Sequence, residues 1–283
     1  MGKISAADVK KLRDETGAGM MDCKKALVEA DGDYQAAIDY LRKRGQKMAA
    51  KRVDRDAKEG VVIALTSHNR NNGIVMRLGC ETDFVAKNES FIDLAKSFAE
   101  IALKNLPDSV ADYMELPYKD EGITVSEKLT EQVAVIGEKL EISKYGKIET
   151  AAGEGQVIPY IHAGYRAGVI VALNQEGPSL QDAGKDVAMQ VAAMRPVAVD
   201  KDGVDSTVIE REIEIGKEQA RQEGKPEAML EKIAMGKLNK FYKEQTLLNQ
   251  AFVKGSNKES VKDYLNSVSK GLTVTDFKHI ELG

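Results

Sequence analysis

Gly60-Val61-Val62-Ile63-Ala64-Leu65, the polar loop His68-Asn69-Arg70-Asn71-Asn72-Gly73, and Ile74-Val75-Met76-Arg77-Leu78 form the stretch on which the fold turns. Two β-rich runs flanking a polar loop that ends in glycine read as an antiparallel hairpin. The pattern returns as Gly155-x-Val157-Ile158, Gly168-Val169-Ile170 and Leu173, each position displaced by 95 residues. The two glycines are 13 residues apart in both copies. A fixed register over so many positions marks two related units. Each hairpin is followed by an amphipathic helix. The first runs from about Glu89 to Leu103, with Phe91, Leu94, Phe98 and Ile101 on one stripe. The second runs from about Ser179 to Met194, with Leu180, Ala183, Val187 and Val191. A further helix over about Ser126–Leu140 buries Leu129, Val133, Ile136 and Leu140. The fold class is α+β, with a core of two related α+β subdomains built on antiparallel sheets.

Upstream, the spacing predicts three short helices. Ser5 and Asp8 make a capping-box-like start ahead of Val9 and Leu12. Thr16-Gly17-Ala18-Gly19 interrupts, and Met20, Cys23, Ala26 and Leu27 resume the helical period. After the turn Asp31-Gly32-Asp33, Ala37, Ile38 and Leu41 mark the third helix. So small a bundle buries little apolar area. Downstream, Val208–Glu223 and a helix bearing Leu230, Ile233, Ala234 and Phe241 flank Gly224-Lys225-Pro226, a helix stop followed by a helix start. One thin apolar seam between them reads as a protruding antiparallel helical hairpin, or coiled-coil arm. Leu272–Leu282 is β-like, a returning sheet strand whose inward face the pattern does not assign. The expected division is a head at 1–46, a linker at 47–59 and a first core subdomain at 60–140. The second core subdomain takes 141–199 and 247–283, with the arm at 200–246 inserted.

At 283 residues the chain has the length of about two domains. Its 42% apolar content is too high for disorder. Lys and Arg number 41 against 45 Asp and Glu, so the basic excess that drives general nucleic-acid binding is missing. Two cysteines make no disulfide framework, and both sit in apolar patterns that read as packing. No run of about 18 apolar residues would span a membrane, and Met1–Asp8 carries no apolar signal core. These features place the chain in the cytoplasm. Gly177…Gly184-Lys185 lacks phosphate-loop spacing, and Gly17-Ala18-Gly19 follows a helix rather than a strand. His68, His162 and His279 show no metal-ligand spacing. The expectation is no catalytic residue, no metal and no cofactor.

Cys80-Glu81-Thr82-Asp83-Phe84-Val85-Ala86-Lys87-Asn88 joins a strand end to a helix start. Thr82 or Asp83 suits a helix cap. Phe84 suits either a core plug or a rigid protruding wedge. This segment resembles the elongation factor Ts family, as does Leu12-Arg13-Asp14-Glu15-Thr16-Gly17-Ala18-Gly19-Met20-Met21-Asp22-Cys23-Lys24-Lys25-Ala26-Leu27. Weaker similarity covers nearly the whole length, including Ile136-Gly137-Glu138, Tyr160-Ile161-His162, Met189–Met194 and Phe252-Val253-Lys254. Arg77 and Gly79 stand where the family usually carries an acidic residue and Asn, Ala251 replaces a usual Pro, and the loop after His162 differs.

The resemblance implies a ubiquitin-associated-like head and a guanine-nucleotide exchange factor for elongation factor Tu, acting without covalent chemistry. It implies that Thr82, Asp83, Phe84 and Val85 dislocate magnesium in that partner. It further implies partner contacts at Arg13, Thr16, Gly17, Ala18, Gly19, Met20, Ile136, Gly137 and His162. Ile136 equally fits the helical seam, and His162 equally fits a locally hydrogen-bonded strand end. No nucleic acid or membrane is expected as a partner, and the arm offers a surface for a homodimer or a two-plus-two complex. The alternative is a passive adaptor that docks proteins through its head.

Overall fold

The computed structural model describes residues 4–255 and 259–283. The reading of Met1-Gly2-Lys3 lies outside the described residues. Helices α1 (Ala6–Thr16), α2 (Met20–Glu29) and α3 (Tyr34–Lys51) form the head. Ser5 and Asp8 complete the capping box expected from their spacing. Val9, Leu12, Cys23, Ala26, Leu27, Ala37 and Leu41 make its small core. The expected linker at 47–59 is shorter than its polar composition suggests. Helix α3 continues through Lys51 because Met48 and Ala49 pack against the first core subdomain, leaving only 52–58 as connection.

That subdomain contains β1 (Glu59–Thr66), β2 (Asn72–Cys80), α4 (Asp83–Ala86), α5 (Glu89–Asn105), α6 (Val110–Glu115), α7 (Val125–Ile136) and β3 (Glu141–Glu149). The second is built from β4 (Gln156–Ile161), β5 (Ala167–Leu173), α8 (Gln181–Met194), α9 (Ser206–Gln222), α10 (Glu227–Gln245), α11 (Val261–Val268) and β6 (Val274–Glu281). Each sheet is three-stranded and antiparallel, in the orders β1-β2-β3 and β4-β5-β6. Residues 141–149, expected in the second subdomain, belong to the first: Gly73 pairs with Ile148 and Gly79 with Glu141. The helix expected to reach Leu140 stops at Ile136, where left-handed Gly137 caps it, and Leu140 is buried on the way into β3.

The repeat is three-dimensional. Gly60 and Gly155 hold φ values of 141° and 145°, and a Cβ there would lie 2.2 and 2.0 Å from the carbonyl oxygens of Leu78 and Leu173. Both central strands meet their third strand with a register shift at matching places, Arg77/Leu78 and Ala172/Leu173. An extra residue there flips the alternation of the partner strand. Ile142 faces the outer helices and Ile148 the other sheet; likewise Val274 faces outward and Ile280 inward. This bulge is why Leu272–Leu282 shows no single strand phase.

The sheets pack face to face through Val62, Ala64, Val75 and Ile148 on one side and Val157, Ile170, Ala172 and Ile280 on the other. The outer face of the first sheet carries Val61, Ile63, Ile74, Met76 and Leu78 against Phe91, Phe98, Tyr113 and Val133. The outer face of the second packs on α8 and α11 through Ile158, Val169, Val171, Val187, Val191 and Leu265. The contact between sheets has its own symmetry. A Cβ on Gly73 would lie 2.4 Å from Val157 Cγ1, and one on Gly168 would lie 2.8 Å from Val62 Cγ1. Each glycine thus leaves room for the valine of the opposite unit. In the arm, α9 and α10 bury Gly216 and Ala220 against Leu230, Ala234 and Leu238. Gly73→Ala should cost about 1–3 kcal/mol by overpacking. In urea unfolding, the Gly73→Ala/Val157→Ala pair should lose less than the sum of the single losses.

Candidate partner-binding site

Strand β2 ends at Cys80, and the chain turns through Glu81 and Thr82 into the four-residue α4. Thr82 is the cap: its hydroxyl accepts the Val85 N–H at 3.4 Å. Val85 is half-buried against the first core, and Ala86 is buried. Phe84 points the other way and is 84% exposed, so the core-plug reading is replaced by the protruding one. Asp83 pairs with Lys87 one turn on, at 2.6 Å, and that hydrogen bond holds its carboxyl below the usual range.

The turn beneath this tip is held by two glutamates. Glu138 Oε2 accepts the Glu81 and Thr82 N–H groups, each at 3.0 Å, and its Oε1 accepts the Thr82 hydroxyl at 2.6 Å. Glu81 reaches the opposite way: its carboxylate accepts the Lys139 N–H at 2.6 Å, Arg52 at 2.5 Å and Arg55 at 2.9 Å. Burial alone would raise the Glu81 pKa, but these donors outweigh it and bring the group down to about 2. The Lys139 ammonium adds bonds to the carbonyls of Val53 and Arg55, both 2.8 Å. The connection from the head is therefore tied to the base of the tip. Arg77 fastens its far end: Nη2 donates to the carbonyls of Ala57 at 2.6 Å and Lys58 at 3.0 Å. Gly79 permits this approach, since a Cβ there would meet the Ala57 oxygen at 3.0 Å. The two departures from the family pattern thus work together.

Ile136 and Gly137 lie just ahead of Glu138 and so flank the same turn. Ile136 is half-buried against the first core, as its place on the seam implies. In the head, Gly17 ends α1 in a left-handed conformation, and Gly19 opens α2. Thr16 hydrogen-bonds its hydroxyl to the Leu12 carbonyl at 2.6 Å. Ala18 is buried, so only its backbone is available there, whereas Arg13, Gly17, Gly19 and Met20 are exposed. Met21, inside the same stretch that carries the resemblance but outside the expected contacts, is more exposed than Met20, at 74% against 57%. His162 is exposed at the end of β4 in the second subdomain, with Nδ1 2.9 Å from the Tyr160 hydroxyl. It is not part of the clamped turn. Glu138 and Glu81 escaped the sequence-based site, because nothing in one chain announces a pairing across 57 residues.

Cys23 and Cys80 are buried; burial raises the Cys23 thiol pKa and pushes Cys80 up to about 12. Among the described residues, no helix is long and apolar enough to cross a membrane. None of their His, Cys, Asp and Glu residues gathers in a group of three or more that could hold a metal ion.

The fold and this site define a class: an α+β protein with a helical head and a braced apolar tip turned to solvent. The model of the family "Elongation factor TS" matches residues 81–283. The chain is 51% identical over 283 residues to elongation factor Ts of Christiangramia forsetii, and 52% identical over 283 residues to that of Cytophaga hutchinsonii, covering all of each chain. It is also 50% identical over 281 residues to that of Amoebophilus asiaticus, covering 99% of both. The chain belongs to the elongation factor Ts family of translation elongation factors.

The low Glu81 pKa carries a pH dependence. Because the folded value lies below the ordinary 4.5, its stabilisation is complete above pH 4.5 and fades as pH falls toward about 2. Glu81→Gln should flatten the loss of melting temperature across that window; an unchanged acid limb would contradict the assignment.

Proposed function

We propose that this chain binds elongation factor Tu in its GDP-bound state and promotes replacement of GDP by GTP, breaking no covalent bond. The observation that carries the proposal is Phe84, a large aromatic left 84% exposed on a turn clamped from two sides. An exposed aromatic fixed in this way suits a preformed wedge. Thr82, Asp83, Phe84 and Val85 enter the partner beside its magnesium site. The head, through Arg13, Thr16, Gly17, Ala18, Gly19 and Met20, holds the nucleotide-binding domain, with Ile136, Gly137 and His162 as further contacts. The arm, which exposes Ile215, Met229 and Met235, serves for pairing in a homodimer or a two-plus-two complex.

The physics is displacement. Magnesium and a phosphate-binding loop hold GDP through charge-assisted contacts. A wedge that moves the metal's ligands weakens those contacts, and burying the aromatic, worth ~1.5–3 kcal/mol, offsets part of that cost. Linkage makes the effect reciprocal: GDP weakens the binding of the chain by the factor by which the chain weakens GDP. The final nucleotide equilibrium is unaltered. This chemistry belongs to the cytoplasm, where translation takes place.

Stopped-flow release of a fluorescent GDP from elongation factor Tu tests the proposal. The chain should accelerate release, and Phe84→Ala should reduce the acceleration about ten- to a hundredfold. Because Phe84 is exposed, that variant should keep its unfolding free energy within roughly 0.5 kcal/mol. No acceleration by the native sequence would overturn the proposal.

A further inference from the structure

Resting on the exchange reading above, we infer that Glu138, outside the tip, is the positioning residue that sets the direction of the Phe84 wedge. An exposed side chain takes no orientation from packing, so that of Phe84 comes from the backbone of α4. Four residues cannot hold a helix by themselves, and α4 depends on its cap. That cap depends on Glu138. The Thr82 hydroxyl has one proton and two lone pairs. Its proton goes to Glu138 Oε1 at 2.6 Å, which leaves a lone pair facing the Val85 N–H at 3.4 Å. Glu138 Oε2 takes the two N–H groups that lead into the tip, at 3.0 Å each. Three donors on the two oxygens of one carboxylate fix both the position and the rotation of the turn.

Glu138 is itself placed by the fold. Left-handed Gly137 ends α7 and aims the chain back toward β2, and the next residue, Lys139, gives its N–H to Glu81 at 2.6 Å. Residues 81–82 and 138–139 therefore grip each other reciprocally. The last pair of the ladder above them is Gly79–Glu141, so side chains continue the pairing where the strands stop. Glu138 acts on the tip through the Thr82 hydroxyl and the N–H groups of Glu81 and Thr82.

GDP release from elongation factor Tu, measured as a function of chain concentration, separates positioning from binding. Glu138→Ala should lower the maximal release rate about tenfold, a loss of the kind a small misplacement produces, with the half-saturating concentration changed less than about threefold. Glu138→Gln keeps an acceptor for the two N–H groups and should recover most of the rate. In the Phe84→Ala background, Glu138→Ala should add no further loss, since both act through the same wedge. A native rate in Glu138→Ala, or losses that multiply fully in the double variant, would overturn the inference. Should Glu138→Ala fail to fold, Glu138→Asp, one methylene too short to reach all three donors, takes its place with the same expectations. Amide hydrogen exchange on the free chain distinguishes the two proposals. Protection lost at 81–86 alone in the Glu138 variant supports positioning even if the native chain fails to release GDP. Protection lost throughout the first subdomain reduces Glu138 to a structural role and overturns it.

Discussion

A protruding side chain can press on another protein only as hard as its own backbone resists. Phe84 has no packing of its own, so the resistance rests on the bonds between the Glu81-Thr82 turn and the Glu138-Lys139 turn. The rest of the first subdomain serves those bonds. Strand β3 pairs with β2 so that Gly79 faces Glu141, which brings the two turns side by side. Helix α7 must stop at Gly137 for Glu138 to reach across. Arg52 and Arg55 add the head to the same knot, so the proposed head contacts and the proposed wedge share one rigid base.

Beneath that base lies the pairing of two sheets by mutual accommodation. Val157 occupies the space that a side chain on Gly73 would need, and Val62 does the same at Gly168. Interiors are close-packed, so this exchange fixes one sheet against the other without slack. The two related units differ most plainly at the proposed wedge. The counterpart of Glu81-Thr82-Asp83-Phe84-Val85, 95 residues on, is Glu176-Gly177-Pro178-Ser179-Leu180. There the chain makes a 3-10 turn with buried Leu180, and a serine stands in place of the exposed aromatic. One copy carries the tip; the other supplies the opposing sheet and carries the arm.

Much of this was legible in the sequence because it is written in local signals. The glycine register, the β-rich runs and the apolar stripes foretold two antiparallel hairpins, each followed by a helix. Ser5 with Asp8 and the break at Gly17 foretold the boundaries of α1. Three features escaped for physical reasons. The place of 141–149 depends on hydrogen bonds to a strand more than sixty residues earlier, which no local pattern reports. The bulge beside Leu173 reverses the alternation within β6, so its apolar residues fit neither face consistently. The polar run after Lys47 hides two residues, Met48 and Ala49, that carry α3 onto the core. At the site, the motif marked Phe84 without saying which way it points, and the bracing carboxylates became visible only once their distant donors were placed.

Linkage gives the most direct test of the central claim, that the chain acts by weakening the hold on GDP. Titration calorimetry should compare the affinity of the chain for nucleotide-free and GDP-loaded elongation factor Tu, alongside the affinity of the partner for GDP with and without the chain. The expected result is much tighter binding to the nucleotide-free form, by the same factor as the chain lowers GDP affinity. Equal affinity for the two forms would contradict the account, because a protein that binds both states equally shifts nothing between them.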